Sequence, residues 1–233
     1  MGDAAIYQVA TIAYMVGYAL IFVLFGLFWL RLFFPGALRL RDSRVWPALT
    51  LGALGLLVTF TIQTPAQRWV NAWGSHRGLS VWVLGGLLVL LSGVIQEGLK
   101  ALGMALSKFT ADPEVSWKSL GLAVGLGFGI WEAWQLVAWP LGTSRLLSVV
   151  AVLERFSAIG LHLGAAALTA YGFSTRRPIR FVILAAIIHT IGNFSILLYQ
   201  QWVINFWTTE AYIFIVGVAS LLLARQLFKT VRE

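Results

Sequence analysis

The chain contains no cysteine. That excludes disulfides, thiolate metal sites and a cysteine nucleophile, while saying little about compartment. Charge is nearly as scarce. Asp, Glu, Lys and Arg make up 11% of the 233 residues, against about a quarter in a soluble domain. Acids are the rarer sign, nine against seventeen Lys and Arg, for a formal net charge of +8. No polar block is long enough to form a separate soluble domain, and charge is too sparse for disorder. The basic residues do not cluster as a nucleic-acid surface would require; they sit in short loops between apolar runs. Also missing are an HExxH pair, a Gly-rich phosphate loop ahead of a helix and a serine in a nucleophile-elbow sequence.

What fills the chain is apolar: 59% hydrophobic residues and a mean hydropathy of +0.84. These values predict an all-α, polytopic membrane protein forming one integral domain over residues 1–233. A spanning helix needs about 20 mostly apolar residues. Seven runs qualify, at 6–33, 46–64, 79–107, 118–139, 146–172, 179–200 and 206–227. The first is too long for a signal-peptide core and lacks a small-residue cleavage site, so it is expected to span. The six prolines, Pro35, Pro47, Pro65, Pro113, Pro140 and Pro178, fall between runs or at their edges, as expected for residues that disfavour helix interiors.

Basic residues at alternate loops predict the orientation. Arg31, Arg39, Arg41, Arg44, Lys108, Lys118, Arg176, Arg177, Arg180, Arg225, Lys229 and Arg232 fall on one side. Arg68, Arg77 and Arg145 fall on the other. The positive-inside rule then puts the N-terminus outside and the C-terminus in the cytoplasm. Trp46, Trp69, Trp73, Trp139 and Trp202 lie near run ends, where an interfacial aromatic belt belongs. Gly121, Gly125, Gly129 and Ala133 recur every four residues, a small-residue ridge suited to close helix packing in lipid. Glu210 follows Thr208 and Thr209 at the start of the last run and reads as a first-turn acid facing the helix dipole.

Polar groups concentrate in the third to sixth runs, approximately 79–200. These carry Gln96, Glu97 and Lys100, then Glu132, then Glu154, Arg155 and His162, then His189 and Asn193. Insertion scales place one central Asp, Lys or Arg at about 2.5–3.5 kcal/mol. Seven ionisable groups on four successive helices therefore predict convergence. Glu154, Ala158 and His162 step by four, as do His189 and Asn193, so each set shares a helix face. The bland alternatives are a local Glu97–Lys100 ion pair, a Glu154–Arg155 pair and a His189–Asn193 clasp. A carboxylate, two histidines and an asparagine in a semi-dry cavity suit water activation, with glutamate as base and Asn or His donors for an oxyanion. Glu97, His162 and His189 equally make a ligand set for a divalent metal such as zinc. Spacing leaves both mechanisms open.

Read in order, Gln96-Glu97-Gly98-Leu99-Lys100, Phe128-Gly129-Ile130-Trp131-Glu132, His162 and His189-Thr190-Ile191-Gly192-Asn193 resemble the intramembrane proteases grouped with the CAAX prenyl endopeptidases and the PrsW site-1 proteases. Glu154-Arg155-Phe156-Ser157-Ala158 followed by His162 looks most like the YhfC branch of intramembrane metalloproteases. The motifs span a little over half the chain. The resemblance implies that Glu97 activates water, His189 and Asn193 orient it and stabilise the oxyanion, and His162 and Glu132 complete the site. Lys100, Glu154, Arg155 and Gln96 would support them. Gln96 stands where many relatives carry a second glutamate, and Lys100 replaces the arginine of the CAAX branch, as in PrsW-like members. The implied partner is a membrane-embedded or membrane-associated protein substrate, and the implied location a prokaryotic cytoplasmic membrane. Two other functions use the same residues: a proton- or solute-coupled transporter running a Glu/His relay, and a catalytically inactive scaffold.

Overall fold

A computed structural model of the chain describes residues 2–110, 114–138, 140 and 148–231. Pro113, Trp139, Arg145 and Arg232, used above for segmentation and orientation, lie outside the described residues. Among the described residues, seven helices are long and apolar enough to cross a membrane. We number them α1 (Gly2–Phe33), α2 (Trp46–His76), α3 (Val81–Thr110), α4 (Trp117–Ala133), α5 (Val149–Ser174), α6 (Pro178–Gln200) and α7 (Phe206–Phe228). A 3-10 turn, Ser43–Val45, precedes α2, and a π-helical segment, Trp134–Ala138, extends α4. Asp42 caps the 3-10 turn through the Arg44 amide. The Arg44 guanidinium beside it holds the Asp42 carboxyl below the usual range.

Local chemistry sets most ends. Ser116, Ser148 and Asn205 each accept a backbone N–H as N-caps of α4, α5 and α7, satisfying donors that a helix start leaves open. Pro47 and Pro178 sit in first turns, where no N–H is needed. Gly78, at φ +66°, makes the left-handed turn between α2 and α3, a conformation open to glycine.

One boundary differs from expectation. Pro65 does not end the second helix; α2 runs through it to His76. Membrane helices tolerate proline because neighbours satisfy the freed backbone, and the added turns are tied to α3 by Gln67, whose Nε2 donates to the Leu88 carbonyl at 3.1 Å. Glu210 also differs. With Asn205 as cap it lies in the second turn of α7, and no acid occupies the first.

α4 and α5 form the centre, with 67% and 56% of their spans buried against 17% for α1. α4 lies between α2 and α5, α5 also packs on α6 and α7, and α3 rests mainly on α2 and α6. In lipid the hydrophobic effect does not hold helices together, so close van der Waals contact must. The expected glycine ridge supplies it. A Cβ on Gly125 would sit 2.6 Å from Ala166 Cβ and 3.2 Å from the His162 carbonyl oxygen. At Gly93, on α3, a Cβ would meet Thr190 Oγ1 at 2.5 Å and the Ala186 carbonyl at 2.8 Å. These two contacts bring α5 and α6 against the polar faces of α4 and α3. Trp46, Trp69, Trp73 and Trp202 are all well exposed near helix ends.

Gly125→Val should lower stability by about 1–3 kcal/mol, the usual cost of overpacking. Gly17→Val, where nothing lies within 4 Å, should be near neutral. Thermal unfolding of both variants in detergent checks the contrast.

Candidate functional site

The seven ionisable residues expected to converge form one chain of contacts across four helices. Glu97 on α3 is completely buried. Its Oε1 accepts from Lys100 Nζ at 2.5 Å and from His189 Nδ1 on α6 at 2.6 Å. Lys100, one turn further along α3, reaches His162 Nδ1 on α5 at 3.1 Å. Its ammonium also lies 4.8 Å from the centre of the Phe128 ring, a favourable cation–π position. His162 Nε2 is 2.7 Å from Glu132 Oε2 on α4. Arg155 Nη1 is 3.6 Å from the same oxygen, and Arg155 pairs in turn with Glu154. The two imidazole rings stand edge to face, 5.0 Å between centres.

The contacts fix protonation as well as position. An ammonium has only donors, so His162 Nδ1 faces Lys100 as an acceptor and Nε2 carries the hydrogen donated to Glu132. Glu97 Oε1 likewise draws a donated hydrogen from His189 Nδ1. Three carboxylates face two cations, and every charge lies beside one of opposite sign. This pairing, with one carboxylate in excess, is what lets the cluster exist so deep. Two atoms of the network are buried with no hydrogen-bond partner, Arg155 Nε and Glu97 Oε2. A carboxylate with one oxygen anchored twice and the other free can accept a proton from water in a defined direction. The network is most open at its far end, where the Glu132 and Glu154 side chains retain 13% and 31% of their exposure.

Two expected residues lie elsewhere. Gln96 faces α2, donating to Gln63 Oε1 and Ser92 Oγ, both at 3.2 Å. Asn193 lies one turn beyond His189 and lines a cavity of about 200 Å³ with Gln67, Ser92 and Gln200. Helical spacing put it on the His189 face, but that face passes from the buried network to this cavity within one turn. Gln63 and Gln67 were missed. They share the i, i+4 spacing of His189 and Asn193, a signal cut in two by ending the second run at 64. Glu210 shares a second cavity, about 350 Å³, with Glu154 between α5, α6 and α7.

The donors of Glu97, His162 and His189 lie within 4.8 Å of one another, so by type and spacing they resemble a zinc set. Their present geometry does not fit a divalent ion. Lys100 Nζ already stands between Glu97 and His162, where a metal would have to sit, and His189 Nδ1 is committed to Glu97. A second cation beside that ammonium would be strongly repelled in a dry interior.

Lys100→Met leaves Glu97 buried with a lone charge and should cost about 3–5 kcal/mol, as for other broken buried pairs. Adding Glu97→Gln should restore much of that loss, measured as a double-mutant cycle on Tm. Equilibrium dialysis against zinc should show no stoichiometric binding to the parent chain and a gain of zinc on Lys100→Ala. No family model, no curated protein and no solved structure matches this chain, so any functional reading stands on the residues themselves.

Proposed function

We propose that the chain is an intramembrane endopeptidase, similar to the group of the CAAX prenyl endopeptidases and PrsW proteases, that hydrolyses a peptide bond of a membrane-associated substrate by a metal-free route. The observation that carries this reading is the free Oε2 of the anchored Glu97. Water bound there loses a proton to Oε2 while its oxygen attacks the substrate carbonyl carbon. Lys100 has three N–H groups, two directed at Glu97 and His162. The third is the donor for the developing oxyanion, in a site dry enough to make that charge count. Collapse of the tetrahedral intermediate breaks the C–N bond, and the leaving nitrogen takes the proton back from Glu97. His189 holds Glu97 Oε1, and Glu132 with Arg155 holds His162, so these residues position the reacting groups.

The positive-inside rule places the N-terminus outside in this reading. Water then enters from the outer half, where Glu132, Arg155 and Glu154 lie. The substrate comes from the bilayer or from a loop beside it.

A second reading rests on the unbroken run of titratable groups from Glu154 to His189. Such chains mark proton relays in membrane proteins. A proton flux into pyranine-loaded vesicles that disappears with His162→Ala would favour a coupled transporter.

Glu97→Gln and His189→Ala should each lower cleavage at least about 100-fold, the lower range for losing a positioned base. Labelling of new protein N-termini in membranes expressing each form at equal levels checks this. Cleavages inside or beside apolar spans should accompany the parent chain and vanish with both variants. Identical N-termini in all three samples would sink the hydrolase assignment.

A further inference from the structure

Beside the Glu97 network lies a cleft of different chemistry. Its polar wall is made of neutral groups: Gln67 from α2, Ser92 from α3, Asn193 and Gln200 from α6. The remaining wall is glycine and aliphatic side chains, without a single charge. It runs from the exposed Gln200 to the buried Ser92 and holds about 200 Å³, the volume of roughly seven water molecules.

The amides at its back are interlocked. Gln63 Nε2 donates to Ser92 Oγ at 3.0 Å and approaches Gln67 Oε1 at 3.4 Å, while Gln67 Nε2 donates to the Leu88 carbonyl. Gln96 joins through Gln63 and Ser92, and its own Oε1 is buried without a partner. The ladder therefore fixes which way each amide points. An ionic ligand would find no counter-charge here. A peptide main chain would find what it needs, since each peptide unit offers one N–H and one C=O to paired amide donors and acceptors.

Position gives the second argument. Asn193 is four residues from His189 on α6, and Ser92 five from Glu97 on α3. At 1.5 Å per residue these separations are about 6 and 7.5 Å along the helices, both towards the Gln200 end. A chain lying in the cleft thus presents its next peptide unit to Glu97.

We propose that this cleft binds the main chain of an extended, uncharged segment of substrate and delivers it to Glu97, a proposal that rests on the endopeptidase reading. Recognition is of backbone groups, so a helix-broken stretch is taken and a fully hydrogen-bonded helix is refused.

The test uses the full chain in lipid nanodiscs and a fluorescent single-span Leu/Ala peptide interrupted by Gly-Ser-Gly. The comparison peptide is N-methylated across the interruption, which removes its N–H donors. Fluorescence anisotropy should show the unmethylated peptide bound about tenfold more tightly, the worth of one or two hydrogen bonds. Gln67→Leu and Asn193→Leu, on different helices, should each shrink that preference while Tm stays within a few degrees of the parent. Equal binding of the two peptides, binding of neither, or a preference untouched by both substitutions would overturn the cleft. Mass spectrometry of the same samples reads cleavage separately. Cleavage without backbone preference rejects the cleft and keeps the endopeptidase, whereas preference without cleavage keeps the cleft and counts against the endopeptidase.

Discussion

A carboxylate and an ammonium, both fully buried and one helical turn apart, set the terms for the rest of this molecule. Neither Glu97 nor Lys100 could stay charged at that depth alone. Their mutual contact alone leaves hydrogen-bonding capacity unmet on both sides. His189 supplies the missing donor to Glu97 and His162 the missing acceptor for Lys100, so α3 must face α6 and α5 at one register. Glu132 and Arg155 then hold His162, which brings in α4. The ion pair is thus a specification of helix arrangement more than a source of stability.

Such a centre needs backbones close enough for short side chains to meet. Glycines along α3 and α4 provide that approach, and Gly93, Gly125 and Gly127 stand where an added side chain would strike neighbouring main chain. Polar convergence and small-residue packing are therefore one design. The π-helical segment after Glu132 adds a widened turn next to the network, a feature often found at functional sites. The outer helix α1 contributes aromatic packing instead, with Trp29 donating to the Phe156 carbonyl at 2.9 Å.

Hydropathy exposed all seven spans, because each meets the length a bilayer demands. The cost of charge in hydrocarbon made the seven ionisable residues legible as a converging set before any coordinates. Lys100 was harder to read. A spacing of three suggested a private pair with Glu97, and nothing local showed that a second partner, His162, lay on α5. Asn193 was misplaced because a helical face is continuous in sequence yet passes between two environments in space. The Gln63–Gln67 ladder stayed hidden behind Pro65, whose helix-breaking tendency is relaxed where a neighbouring helix supports the backbone. Neutral amides also give a weaker hydropathy signal than charges, although they supply three of the four polar residues that line the cleft.

The cluster's chemistry turns on one oxygen. Glu97 Oε1 is held twice and Oε2 not at all, an asymmetry suited to taking a proton from water. Direct attack by the same oxygen on a carbonyl would form an anhydride instead, whose hydrolysis at the Glu97 carbon carries water oxygen into the protein. A single turnover in ¹⁸O-labelled water, read by mass spectrometry of both product and protein, is the most direct measurement. The account predicts ¹⁸O in the new product carboxylate from the first turnover and none in Glu97. An unlabelled first product, with ¹⁸O in Glu97 instead, would contradict it.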